Sequence, residues 1–296
     1  MIDMDMVIPV LLPVTCDFIF KLIFGDQRNI DILAEFLKSV LDVPDSEYER
    51  ITIVDPHVKK ESKGDKYGIL DVKVHTKSGT VINCEIQVEP IPEMKQRSVY
   101  FMSKMVTEQM ASGLSHADIK RSIVIIITAY DFNPGNGYYH HQYRYRSNKD
   151  GTEFTDMTEF NALDLTKLPA FADNTELWYW MKFMSVKSKE ELEMLAQRSP
   201  QMRKAVGVLK ELSADERTRM IYEEREIARR DMVSRMGGAE RKGHAEGRAE
   251  GLAEGRAEGL AEGRVDVIRN AIEMGMDIDT IIKLTCSTRE EVEALR

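Results

Sequence analysis

Residues 68–89, GILDVKVHTKSGTVINCEIQVE, decide the fold of this chain. β-branched residues flank the polar segment 77–79, and this pattern predicts a β-hairpin. Asp71 and Glu85 are equally far from Ser78 in the sequence. A hairpin centred on Ser78 therefore places these two side chains directly opposite each other on one face of the sheet.

Two opposed acidic side chains need a physical explanation. Opposed residues have Cβ atoms about 4.5–5.5 Å apart, and like charges at that distance repel unless a cation lies between them. Carboxylate oxygens are ligands for hard divalent cations such as Mg²⁺, so the pattern indicates a metal site across the hairpin. The alternative is a solvated sheet face that carries its acidic residues by chance. A register shift of one residue would turn one side chain away.

Length and composition limit the protein class. The 296 residues carry a net charge of -9, which argues against a protein that coats nucleic acid but allows a nuclease with a local basic surface. The three cysteines form no zinc-binding spacing, and we expect them to stay reduced in the cytoplasm. The N-terminus lacks a basic signal-peptide region, and no apolar run is long enough to cross a membrane. The sequence thus predicts a soluble cytoplasmic protein without a membrane partner.

Helices are predicted on both sides of the hairpin. In the first, Phe18, Leu22 and Ile23 fall at helical spacing. Asp17 and Lys21 are four residues apart, hence neighbours on that helix, where a surface ion pair is the simplest interpretation. A second apolar stripe of helical spacing runs through residues 30–41.

The helix predicted over residues 93–112 follows the hairpin. Its core-facing residues are expected to be Val99, Met102, Met105, Val106 and Met110. Another face of this helix carries Arg97, Tyr100 and Lys104. These side chains would suit phosphate contacts, although a solvated surface is the commoner meaning of such residues.

The next segments predict further strands. Residues 122–130, SIVIIITAY, form an apolar run that suits a central buried strand. Residues 138–146, YYHHQYRYR, mix aromatic with basic side chains, which is typical either of a nucleic-acid grip or of an amphipathic edge strand. Residues 157–165 predict a last strand.

Composition divides the chain into four regions. Residues 1–185 predict the main domain and residues 186–242 a helical subdomain. Residues 243–264 repeat Gly, Ala and Glu with a period of four, which indicates either a flexible linker or an oligomerisation stalk. Residues 265–296 predict a small helical tail with a capping box at Ser287 and Glu290. Its helix-turn-helix character is combined with many acidic residues, so a protein–protein module is favoured over groove insertion.

Four segments occur in a specific order: CDFIFKLIFG, GILDVKV, INCEIQVE and KQRSVYFMSKM. Together they resemble the recombination-promoting nuclease (Rpn, YhgA-like) family, also described as PD-(D/E)xK family transposases. The resemblance covers roughly the first 235 residues. It implies an α/β restriction-endonuclease-like fold, in which helices flank a mixed sheet and a helical C-terminal region follows.

The resemblance also implies a divalent-metal-dependent DNA endonuclease linked to recombination, mobile elements or phage defence. Mg²⁺ is the expected cofactor, with Mn²⁺ or Ca²⁺ as alternatives, and DNA is the expected partner. The family pattern assigns these residues: Asp71 and Glu85 as metal-binding acids, Gln87 at the usual lysine position, Asp17 and Lys21 as auxiliary groups. The backbone carbonyl of Ile86 is a further candidate ligand, and Arg97, Tyr100, Lys104 and Lys73 are candidate DNA contacts.

Gln87 departs from the family pattern. Its amide would orient a water molecule by hydrogen bonding but carries no charge to stabilise the transition state. Lys73 or Lys21 would have to compensate. The competing interpretation is an inactive nuclease-fold protein that acts through binding of DNA or protein and assembles as a homo-oligomer through its C-terminal region.

Overall fold

The computed structural model describes residues 11–54, 72–110 and 115–296. Contacts divide the chain into two compact units, residues 1–223 and residues 224–296. The first unit is built on a six-stranded mixed sheet in the order β1-β2-β3-β4-β6-β5. The strands are β1 (Thr52–Val54), β2 (Val72–His75), β3 (Val81–Gln87), β4 (Ser122–Thr128), β5 (His140–Arg146) and β6 (Glu153–Asp164).

Strands β2 and β3 form the predicted hairpin. Val72 pairs with Cys84 and His75 pairs with Val81, so the described pairs are centred on Ser78, as the sequence predicts. Gly79 adopts a φ of 91° in the turn, a conformation that glycine reaches without steric penalty. Asp71, the residue before β2, lies outside the described residues.

The middle of the sheet is parallel. Strand β3 pairs in parallel with β4, and β4 pairs in parallel with β6. Every residue of β4 is buried, which confirms the prediction of a central strand from its continuous apolar run. Strand β5 pairs antiparallel with β6 at the edge of the sheet, as expected for an edge strand with alternating polar residues. The fold is therefore the α/β mixed sheet with flanking helices that the resemblance implies.

Among the described residues, five helices supply buried side chains to the larger hydrophobic core, on the side of the sheet formed by Ile82, Cys84 and Ile86. They are α1 (Asp17–Phe24), α2 (Ile30–Val40), α4 (Glu176–Met184), α5 (Lys189–Ala196) and α6 (Pro200–Ala214). The predicted stripe on α1 is partly wrong. Its buried residues are Ile19, Phe20, Ile23 and Phe24, whereas Phe18 and Leu22 are only half-buried.

The opposite side of the sheet packs against α3 (Met94–Thr107). Its buried residues are Met94, Ser98, Phe101 and Met105. The predicted core face is therefore wrong in part, because Val99 is 66% exposed and Phe101 is buried instead. The apolar residues of α3 wind around most of its circumference, so spacing alone does not identify the buried face.

Helix α7 (Glu216–Glu273) continues through the whole glycine-containing repeat. Helices α8 (Ile278–Thr285) and α9 (Arg289–Ala294) follow, and Ile268, Ala271, Ile281 and Val292 form a small core in the second unit. The predicted capping box is shifted by one residue: Thr288 and Glu291 form it. Within the described residues, no helix is long and apolar enough to span a membrane.

Candidate functional site

The site is centred on Glu85, near the carboxyl end of β3. Its side chain points to the α3 side of the sheet, and the residue is only 3% exposed. Arg97, on α3, donates a hydrogen bond from Nη2 to Glu85 Oε1 at 2.7 Å. A charge-assisted bond to a guanidinium is the usual way to hold a buried carboxylate in its charged form. Sequence reasoning proposed Arg97 for phosphate contacts, but did not predict its ion pair with Glu85.

Gln87 lies two residues farther along β3, on the same face as Glu85 by strand alternation. Its Nε2 donates to the backbone oxygen of Glu89 at 2.9 Å. The amide therefore occupies the position predicted from the sequence but makes a local backbone contact.

Two further candidate cations lie nearby. Lys73 of β2 pairs with Asn83 of β3, two residues before Glu85, but its Nζ forms a salt bridge with Glu108 at 2.7 Å. Lys104 lies two turns after Arg97 on α3 and is half-buried. Tyr100 is 53% exposed, with its ring 6.0 Å from that of Phe101. Their contacts with DNA stay predictions.

Tyr130 belongs to the same environment, although sequence reasoning did not single it out. Burial raises the pKa of its phenol. The negative charge of Glu85 raises this pKa further, whereas the positive charge of Arg97 lowers it. Its position in the sequence, just after the predicted buried strand β4, could have identified it. Strands β3 and β4 end at the same edge of the sheet. In parallel strands such residues meet at one edge.

Three predicted site groups remain: Asp17, Lys21 and the backbone carbonyl of Ile86. Asp17 opens α1 and Lys21 lies one turn later, on the helix that packs against the Ile82, Cys84 and Ile86 side of the sheet. Their approach to a metal stays a prediction, as does ligation by the Ile86 carbonyl. Among the residues that the structure describes, no group of three or more His, Cys, Asp or Glu side chains is placed to hold a metal ion. Asp71, required by the predicted site, is outside that set.

A second buried carboxylate, Glu159 of β6, was missed. Its Oε2 accepts from Arg121 at 2.5 Å and from Arg144 Nη2 at 2.7 Å. Its Oε1 accepts from Gln142 at 2.9 Å and from Asn161 at 2.8 Å. Burial would raise the pKa of Glu159, but these hydrogen bonds and the charge of Arg121 outweigh it and lower the pKa. Both carboxylate oxygens of Glu159 accept hydrogen bonds, and two of the donors, Gln142 and Arg144, lie on β5. Glu159 therefore anchors β5 to β6.

The sequence model of the family described as PD-(D/E)XK nuclease family transposase matches residues 14–239. No curated protein and no solved structure matches the chain. The match spans most of the chain and includes the hairpin, α3 and the whole sheet. The chain therefore belongs to this family, which confirms the resemblance found in the sequence.

Proposed function

We propose, from its membership of the PD-(D/E)XK nuclease family, that this protein is a divalent-metal-dependent DNA endonuclease with Glu85 at its centre. The observation that carries the proposal is that Glu85, to which the resemblance assigns the role of a metal-binding acid, is a carboxylate only 3% exposed. An acidic residue almost never occupies such a position without a partner or a functional reason.

The donor chemistry fits a hard cation. Glu85 and Asp71 would supply carboxylate oxygens and Ile86 a backbone oxygen, which is the ligand type that Mg²⁺ and Mn²⁺ take. When bound, the metal would polarise a phosphodiester and lower the pKa of a water molecule. Asp17 would lie near this group as an auxiliary acid, with Lys21 beside it.

The positive charge of Arg97 also supports the proposal. Neutral Gln87 stands at the position of the usual lysine, and its amide donates a hydrogen bond to the backbone oxygen of Glu89. The guanidinium of Arg97 lies beside Glu85, with Nη2 2.7 Å from Oε1. We therefore assign to Arg97 the permanent positive charge that Gln87 lacks. It would stabilise the negative charge that builds up on the phosphate. Lys73, Tyr100 and Lys104 would contact the DNA backbone along the same side of α3.

The test is cleavage of supercoiled plasmid by the full chain in Mg²⁺, Mn²⁺ or Ca²⁺. We expect metal-dependent nicking or linearisation that is lost in Asp71→Asn and in Glu85→Gln. The matched control is Glu193→Gln, which removes an acidic group from an exposed position on α5, a helix on the opposite side of the sheet from Glu85. Cleavage that persists in both site variants, or is absent from the wild type in every metal, would contradict the proposal.

The second candidate function is binding without cleavage. The observation that favours it is the uncharged Gln87 at the lysine position. Absence of plasmid cleavage together with metal-independent DNA binding would favour this alternative. The roles in recombination, mobile elements or phage defence go with the endonuclease proposal, as expectations from the resemblance. We also propose homo-oligomerisation through the C-terminal region, on which the binding alternative depends.

A further inference from the structure

A groove of about 370 Å³ lies between α3 and the strands β5 and β6. Its walls are mainly apolar side chains: Val99 and Met102 from α3, Phe132 after β4, Tyr143 and Tyr145 from β5, and Phe160 from β6. This volume is in the range of sites for small organic groups. None of these residues belongs to the site built around Glu85.

Aromatic rings form a continuous series through the groove. The ring of His141 stacks on that of Tyr143 at 5.9 Å, with 26° between the planes. Tyr143 contacts Phe160 at 5.7 Å, and Phe160 contacts Phe132 at 6.0 Å. Tyr143 is 43% exposed and Tyr145 is 60% exposed. Flat aromatic surfaces left open to solvent in this way are a platform on which nucleobases stack.

A lysine accompanies these rings. Lys95, in the first turn of α3, holds its Nζ 5.7 Å from the ring centre of Phe132, and forms no ion pair within the described residues. Arg144 lies between Tyr143 and Tyr145 in the sequence, but its guanidinium is bound by Glu159 on the opposite face of the sheet and is not counted among the groove's cations. Open aromatic faces with a lysine at one end match the bases and phosphates of a nucleic-acid strand better than they match an apolar peptide.

The groove and Glu85 share one side of the sheet. The strand register aligns Glu85 with Ile126, Ala162 and His141 across β3, β4, β6 and β5. Three strand spacings put His141 about 14 Å from Glu85. Helix α3 lies between them, with Arg97 facing Glu85 and Val99 facing the groove.

We propose that this groove binds an unpaired nucleobase, so that the protein engages single-stranded or locally unpaired DNA beside its cleavage site. The inference rests on the proposed function only in taking DNA as the ligand. Binding at the groove needs neither a metal nor cleavage.

The experiment measures fluorescence anisotropy of the full chain in EDTA with two labelled probes. One probe is a short single-stranded oligothymidylate, and the other is an abasic oligonucleotide with the same number of phosphates. The variants are Tyr143→Leu and Tyr145→Leu, which remove a ring but keep an apolar side chain. Phe171→Leu is the matched control, because Phe171 is 86% exposed and lies outside the groove.

We expect the wild type and Phe171→Leu to prefer oligothymidylate over the abasic probe. Tyr143→Leu should weaken oligothymidylate binding about five- to 150-fold, the range for loss of one stacked base, and leave abasic binding unchanged. Equal affinity of the wild type for both probes, or equal behaviour of Tyr143→Leu and Phe171→Leu, would overturn the inference. Base-dependent binding by a chain that never cuts plasmid would refute the endonuclease proposal and leave the groove inference standing.

Discussion

Replacing Glu159 with Gln tests whether the buried anchor holds β5 in place. The side chain of Glu159 is 0% exposed and is bound by two guanidinium groups, which are each 19% exposed. Breaking a buried ion pair by removing one partner costs about 3–5 kcal/mol. Because Arg121 and Arg144 keep some contact with water, we expect a loss near the lower end, about 3 kcal/mol. The new amide nitrogen would also face other donors.

Urea unfolding followed by tryptophan fluorescence gives the free energy. Both tryptophans of the sequence, Trp178 and Trp180, lie in α4, so the signal reports the unit that contains Glu159. The control is Glu153→Gln: Glu153 is 34% exposed and pairs with Arg144 at 3.4 Å, so its loss should cost less than about 1 kcal/mol.

The effect of Glu159→Gln also has a predicted pH dependence. The pKa of Glu159 is lowered in the folded chain, so its stabilising effect is complete above the ordinary value of 4.5. It is lost as the pH falls through the lowered value. The difference in unfolding free energy between wild type and Glu159→Gln should therefore be full at neutral pH and shrink in acid. Equal stability of Glu159→Gln and Glu153→Gln at neutral pH, or a difference that does not change in acid, would refute the reasoning.

Three other predictions concern the hairpin and helix α7. Gln87→Lys should raise the metal-dependent plasmid cleavage rate about tenfold, since an ammonium group adds charge near the phosphate; an unchanged rate, with Gln87→Met as control, would contradict this. Gly79→Ala should cost about 1 kcal/mol or more in urea unfolding, because φ is 91° and the new Cβ would lie 3.2 Å from Lys120 Cγ. Gly255→Ala, in open space within α7, should instead raise helicity and stability by circular dichroism. A loss of helicity there would count against helix propensity as the reason.

The register of the hairpin was predictable because two features agree on it. The polar turn fixes its centre at Ser78, and the β-branched residues on either side fix which side chains face the core. Strand β4 was equally clear, since a run of apolar residues bounded by polar ones suits a strand buried on both faces. Both predictions rest on the local sequence pattern and need no knowledge of long-range contacts.

The partners of the buried charges were not predictable from local pattern. Glu85 and Arg97 are 12 residues apart, on β3 and α3. Their contact depends on which face of α3 is turned towards the sheet. Glu159 and Arg121 are 38 residues apart and meet only because β6 pairs in parallel with β4. The sequence contains the charges, but the topology decides which of them meet.

The orientation of α3 about its own axis decides which of its side chains face Glu85 and which face the groove. The helix buries Phe101 and leaves Val99 exposed, although the spacing of the apolar residues predicts Val99 on the buried face. With this rotation, Arg97 reaches Glu85 on one flank while Val99 and Met102 complete the aromatic groove on the other. A rotation that buried Val99 would move Arg97 away from the carboxylate and close the groove wall. The exposed valine is thus the consequence of a helix that serves the Glu85 site and the groove together.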